Sequence, residues 1–561
     1  MEIADLFFCG RRDSNPHKKL GRLLCYHYTT PAFGLVIIFF CGGFWDIKKM
    51  GNMESFTKTR ESFSAEYKKI QRINGAIALL QWDAETIMPK ASRENRAEQI
   101  ATLAAIEHGL STGDGLRKLF ENTNNEFEKL SKEEQLAFPT WKREAQVFQK
   151  EWERKTKLSE DFVGRWSKLT SISQGVWEKA RNENDWKSFE PVLAEVITLS
   201  KRKTELFGFS EEPYNALLEE FEEGITGKQL EDLFLQLKKD LIPIVKQGKK
   251  FSNPFPHAIA IEKQQQFNEK LPIFLGLQKD HYRLDTSAHP FSTTIGKNDQ
   301  RITTRYSTSD PISSIFGILH ETGHSLYEAG LSTMEDYPSI LSQALSFGIH
   351  ESQSRLWENL IGRSAEFWEY YYPTLLKDFG LTETEVPLKK FLQFVNSVEP
   401  SLIRVEADPV TYNLHIILRF ELERDLLNGK IHVVDLPELW NQKIQESFGL
   451  KVSKNSEGVL QDVHWSAGYF GYFPTYSLGN IYASQIFDAF CKQNSNFLNS
   501  GETKGTLSKT GDLSGLLEFL RSNLHRLGRI ESINDTIVKI TSLKPDSKFL
   551  LQDLQKIVKL F

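Results

Sequence analysis

Cysteine is nearly absent from this chain. Of 561 residues four are cysteines, and three of them, Cys9, Cys25 and Cys41, fall within the first 52 positions. With Cys491 alone in the remainder, no disulfide framework can form there, and a reducing cytoplasm is the expected location. Long apolar runs are also missing: GLVIIFFCGGFW is too short to span a bilayer, so no membrane anchor is expected. Charge of one sign is lacking too. The 69 Lys and Arg face 74 Asp and Glu, and the basic residues are dispersed among acids, which argues against a nucleic-acid partner. No internal repeat stands out, and no strong linker divides the body.

The first 52 residues do not match the rest of the chain. Basic residues precede an apolar core there, as in a signal peptide, but the core starts late and no convincing small-residue cleavage site comes after it. An over-extended start, with Met50 or Met53 as initiator, or an unstructured leader is expected, and residues 53–561 are expected to form a single domain. Helical periodicity is widespread in that body. Phe63, Tyr67, Ile70, Ile73, Ile77 and Leu80 mark one amphipathic face, and similar patterns return in 95–105, 226–247, 385–396 and 410–427. Strand-like alternation concentrates in 281–307, where Gly296, Lys297 and Asn298 signal a hairpin. The expected fold class is mainly α with a small antiparallel sheet. The polar stretch 494–514 is expected to be a mobile loop.

Chemistry concentrates at IFGILHETGHSLYEAG, where His320, Glu321 and His324 form a His-Glu-x-x-His pentad within a helical pattern. Asp310 and Pro311 supply a cap and first turn, and Gly330 reads as the stop. Residues four apart on a helix stand one above the other, so His320 and His324 can aim two imidazoles at one metal ion. Glu321 is rotated off that line, where a general base acting on water must sit. A third ligand is needed. Glu328 continues the series, but three ligands on one straight helix would span about 12 Å and could not converge. Glu335 and Asp336, in a turn, remain possible. Glu351 is the better candidate: it lies in a second helical stretch beside His350, and His-His-Glu is a common hydrolytic zinc set. A surface pairing of Glu351 with Arg355 is the plainer alternative.

Further motifs extend the pattern in order: His289-Pro290-Phe291, Asp299-x-Arg301-x-Thr303, the pentad, His350-Glu351-Ser352-Gln353-Ser354, Ile403-Arg404-x-x-Ala407-Asp408, and Gly458-x-x-Gln461-Asp462-x-His464-Trp465. With these motifs, residues 53–561 resemble the carboxypeptidase Taq family of metallocarboxypeptidases. The resemblance implies a large neurolysin-like helical body with a deep cleft, zinc as cofactor with cobalt able to replace it, His320, His324 and Glu351 as ligands, and Glu321 as base. It further implies broad side-chain tolerance towards peptide substrates and a homodimer whose cleft is partly covered by N-terminal helices.

A carboxypeptidase must also recognise a terminal carboxylate, which an arginine fork does best. Arg404, at an element end before Asp408 and Pro409, is the first choice. Arg301 is a second, although bracing by Asp299 is its plainer reading. His464 is the candidate donor to the oxyanion formed at the scissile carbonyl, with Tyr476 or Tyr472 from the following aromatic loop. His289 and His415 read as structural. The expected activity is removal of residues from peptide C-termini. A neurolysin-like endo-oligopeptidase and a catalytically idle helical peptide-binding protein are the alternatives.

Overall fold

Asp310 starts the helix around which the fold is arranged: its side chain accepts from the Ser313 N–H, and Pro311 fills the first turn, where no donor is needed. In the computed structural model, residues 47–560 are described. The expected leader or late start lies outside the described residues as far as position 46; from Ile47 the chain is already helical, in one long helix running to Glu85. Gly51–Phe561 form one compact unit.

The architecture is mainly α, as the periodicity implies. One face of the first helix, Phe56, Phe63, Tyr67 and Ile70, packs with Phe120, Phe127, Trp141 and Phe148 into a small aromatic core separate from the main one. Beyond Ile70 the same face is only half-buried, because there the helix leaves this core and lines a cleft with Gln71, Asn74 and Gly75. Gly75 permits the close approach: a Cβ there would stand 2.3 Å from the Ile295 carbonyl oxygen.

Ile295 belongs to a three-stranded sheet of β1 (Tyr282–Thr286), β2 (Ser292–Gly296) and β3 (Asp299–Thr304), ordered β1-β3-β2. The hairpin is antiparallel, with Asn298 in the left-handed region at its turn. The sheet as a whole is mixed where alternation alone suggests an antiparallel one, since β1 runs parallel to β3. The reason is the return after β1, which crosses the end of β3 before β2 begins. The Ser287 N–H donates to the Thr304 carbonyl and the Thr303 N–H to the Phe291 carbonyl, so the return is tied to β3 and β1 is left on its far edge.

Three other expectations change. The pentad helix, Pro311–Leu331, runs past Gly330, whose bare Cα instead admits His525; a Cβ would come within 2.5 Å of that ring. The stretch 494–514 carries a bridge between Ser500 and Thr503 and a short helix, Thr506–Thr510. The aromatic segment expected as a loop turns into helix at Pro474, so Tyr476 stands in the first turn of Pro474–Gln493 and, of the two candidate tyrosines, Tyr472 alone precedes it.

Candidate metal centre

His320 and His324 project from the pentad helix one turn apart, and Glu351 meets them from the facing helix Phe347–Arg355, whose cap is Ser346 accepting from the Ile349 N–H. The Glu351 Oε2 atom lies 3.7 Å from His320 Nε2 and 3.5 Å from His324 Nε2. All three donor atoms fall within 4.8 Å of one another. Ligands held tetrahedrally at zinc distances stand roughly 3.3–3.6 Å apart, so this donor set fits one divalent ion with small adjustment.

Glycine makes the convergence possible. A Cβ on Gly323, inside the pentad, would stand 2.6 Å from the Gln353 carbonyl oxygen and 2.7 Å from the Ser354 Cα, so the two helices can pack backbone to backbone only without it. On the other side Gly479 leaves room for Glu351 itself, with a built Cβ at 2.6 Å from its Cγ.

The electrostatics suit a cation. Burial pushes the Glu351 carboxyl up, but the charge of Arg355, the field of His320 and a hydrogen bond from His324 outweigh it and hold the group well below the usual carboxylate range. Burial holds the His324 imidazole down at about 3, leaving a neutral ring with a lone pair to offer. For His320 burial pulls the same way, but Glu351 and Glu358 prevail and raise it, a measure of the negative field that a divalent ion would answer. Glu321 is 7 % exposed and lines the cleft; burial raises its carboxyl, against a hydrogen bond from Ser292 on β2.

Two further residues complete the surroundings, of which sequence reasoning passed over the first and read the second only as a surface partner. Glu358 accepts from His320 Nδ1 at 2.8 Å, which turns the opposite nitrogen towards Glu351. It stands in a π-helical turn, Leu356–Ile361, that continues the Glu351 helix. No periodic pattern announces such a turn, so spacing alone could not find Glu358. Arg355 does pair with Glu351, at 2.7 Å, but the pair is buried and belongs to the site.

The remaining candidates are dispersed around the cleft, a cavity of about 1410 Å³. Tyr472 and Tyr476 line it. Behind Tyr476 stand His464, with Nε2 3.2 Å from the Tyr476 hydroxyl, and Arg404, with its guanidinium 5.2 Å from the Tyr476 ring centre. Arg404 is fixed by Asp462 at 2.8 Å and donates to the Tyr412 hydroxyl at 3.1 Å. Arg301 is brought to none of these: Asp299 grips it twice, at 2.6 and 3.0 Å, and its face lies 4.6 Å from the Trp82 ring centre of the first helix. Glu328 is engaged by His350 at 3.1 Å and Asp336 by Arg60 at 3.0 Å, so neither joins the histidines. His289 is exposed beside the cleft-lining Pro290, and His415 is fully buried against Phe448.

Comparison with known proteins places this geometry in a family. The carboxypeptidase Taq (M32) metallopeptidase family matches residues 62–558. Carboxypeptidase 1 of Bacillus subtilis is 36 % identical over 507 residues, covering 90 % of this chain and 98 % of that protein. Thermostable carboxypeptidase 1 of Thermus thermophilus is 37 % identical over 501 residues, covering 85 % and 94 %. Among solved structures, the M32 carboxypeptidase of Deinococcus radiodurans superposes with a TM-score of 0.84 at 32 % identity, covering 90 % of this chain and 100 % of that one. Metallocarboxypeptidase 1 of Trypanosoma cruzi gives 0.83 at 30 % identity, with the same coverage. The chain therefore belongs to the carboxypeptidase Taq (M32) family of metallopeptidases, hydrolases of peptide bonds.

Proposed function

We propose that this chain is a zinc-dependent carboxypeptidase that releases residues one at a time from peptide C-termini, with broad tolerance for the side chain. The observation that carries this reading is the convergence of two imidazoles on one oxygen of Glu351, beside a buried Glu321 at the wall of the same cleft. His320, His324 and Glu351 would hold the ion, and cobalt would serve in its place. Bound there, zinc supplies a Lewis acid for the scissile carbonyl and lowers the pKa of water.

Everything else falls to the protein. Glu321, a buried carboxyl at the cleft wall, takes a proton from the attacking water and passes it to the leaving amine. Strand β2, on the sheet edge beside the pentad helix, offers main-chain groups to an extended peptide. Arg404, one side chain behind the cleft wall, is assigned the terminal carboxylate, and Tyr476 with His464 the developing oxyanion. Arg301 takes the role of a brace for the sheet. Residues 53–561 act as one catalytic domain. A cytoplasmic location and a homodimer belong to the same proposal and are checked by cell fractionation and by sedimentation of the purified protein.

The deciding experiment is mass spectrometry of a peptide mixture digested by wild type and by Glu321→Gln. A ladder of C-terminal truncations made by wild type and lost in the variant is expected. Peptides blocked by C-terminal amidation are expected to survive; their cleavage would favour an endo-oligopeptidase instead. Metal analysis should find about one zinc per chain, lost in His320→Ala. Protein that binds no metal would remove the basis of the reading and favour an idle peptide-binding protein.

A further inference from the structure

Glu351 has two carboxylate oxygens, and only one of them faces the histidines. Its Oε1 accepts from Arg355 Nε at 2.7 Å, while Oε2 points at His320 and His324. Ser354 Oγ stands 3.1 Å from Oε2 but 2.7 Å from the Glu351 main-chain carbonyl, and its single proton goes to the nearer acceptor. The second oxygen is thus committed before any ion arrives.

Arg355 has little freedom to release it. Nη1 donates to Glu358 Oε2 at 3.1 Å, and the guanidinium lies 4.6 Å from the centre of the Tyr412 ring. The side chain is 14 % exposed. Glu358 in turn binds His320 Nδ1, so Glu351, Arg355, Glu358 and His320 close a ring around the site. A planar fork can serve two carboxylates in this way, and a lysine ammonium could not reproduce it.

We propose that Arg355 is a positioning residue: by engaging Glu351 Oε1 it leaves that carboxylate one oxygen to offer the ion and keeps a coordination position open for water. The inference rests on the zinc-site reading of the proposed function. A carboxylate free to bind through both oxygens would fill the position that a catalytic site must keep for water. Arg355 and Glu358 then have separable duties. Glu358 orients a ligand and governs metal affinity, whereas Arg355 governs how many oxygens the ion receives.

Cobalt-loaded wild type, Arg355→Met and Glu358→Gln test this, through metal affinity, kcat and the visible d–d absorption, whose intensity falls as coordination number rises. Arg355→Met should keep its metal, show weaker absorption and lose kcat by roughly 10- to 100-fold, the range found when groups supporting a metal ligand are removed. Glu358→Gln should bind metal roughly 10- to 100-fold more weakly, with its absorption when saturated as in wild type. Metal-loaded Arg355→Met with wild-type absorption and kcat would overturn the proposal. Should that variant fail to fold, a zinc-loaded crystal of wild type decides: Oε1 still on Arg355 supports the proposal, and Oε1 at bonding distance from the ion overturns it. Wild type that takes up no zinc or cobalt would instead sink the site reading, so the two failures are distinct.

Discussion

Glu351 and Glu358 differ less in chemistry than in how far a sequence can announce them. Glu351 follows a histidine on an apolar-periodic stretch and could be weighed against a short roster of acids. Glu358 matters because a π turn carries it to His320, and helix width is not written in hydrophobic spacing. The plain pairing of Glu351 with Arg355 and the ligand role also prove compatible, since each uses a different oxygen. A second buried ion cluster gives a pH prediction. Burial pushes the Asp462 carboxyl up, yet Arg419 and Arg404 outweigh it and hold the group well below the usual range. A depressed carboxyl stabilises the fold above its unfolded value of about 3.9 and loses that contribution as pH falls from there towards the folded value. Asp462→Asn should therefore cost about 3–5 kcal/mol at neutral pH, the loss expected when one partner of a buried pair is removed. The gap to wild type should narrow below about pH 4, as read by urea unfolding at both pH values. A gap independent of pH would contradict it.

Among the elements, the helices were legible and their junctions were not. Asp310 and Asp408, each followed by proline, cap where a cap is expected, because a short polar side chain before an apolar period is a local signal; Ser346 caps the Glu351 helix in the same way. Gly330 and the glycines before Tyr476 misled for one reason: glycine signals a turn locally, but here tertiary packing uses it inside or beside helices. The mixed sheet was equally hidden, since strand direction depends on a return that hydrogen-bonds to a strand formed later in the chain. Gly323 and Gly479 yield the matching test. Gly323→Ala should separate the pentad helix from the Glu351 helix, with a loss of about 1–3 kcal/mol from overpacking, read as a lower thermal midpoint. Gly479→Ala presses on Glu351 itself and should weaken metal affinity as well. If alanine at both positions changed neither stability nor affinity, the close approach would have no energetic meaning.

For the whole molecule, the small aromatic core of the first helix stands apart from the large core that carries the pentad helix, and the cleft separates them. Side chains from both bodies line it, including Tyr67 and Phe148 on one side and His320 and Tyr476 on the other. A peptide spanning the cleft should therefore tie the two together. Hydrogen exchange on Glu321→Gln should show slower exchange in residues 67–85 when a peptide with a free C-terminus is added, and no such change with its amidated counterpart. Equal protection by both peptides would mean that the carboxylate is not recognised.

The size of the cleft has a consequence for what can be digested. Gln71, Asn74 and Gly75 line the cleft, with Gly75 against the Ile295 carbonyl, and a cavity of about 1410 Å³ takes an unwound chain end but no folded domain. Intact globular proteins are then attacked only as often as their last segment comes loose from its own fold, a quantity fixed by local unfolding. Trimming rates on a set of folded targets would rank their terminal fraying, making the enzyme a gauge of how firmly a polypeptide holds its own end.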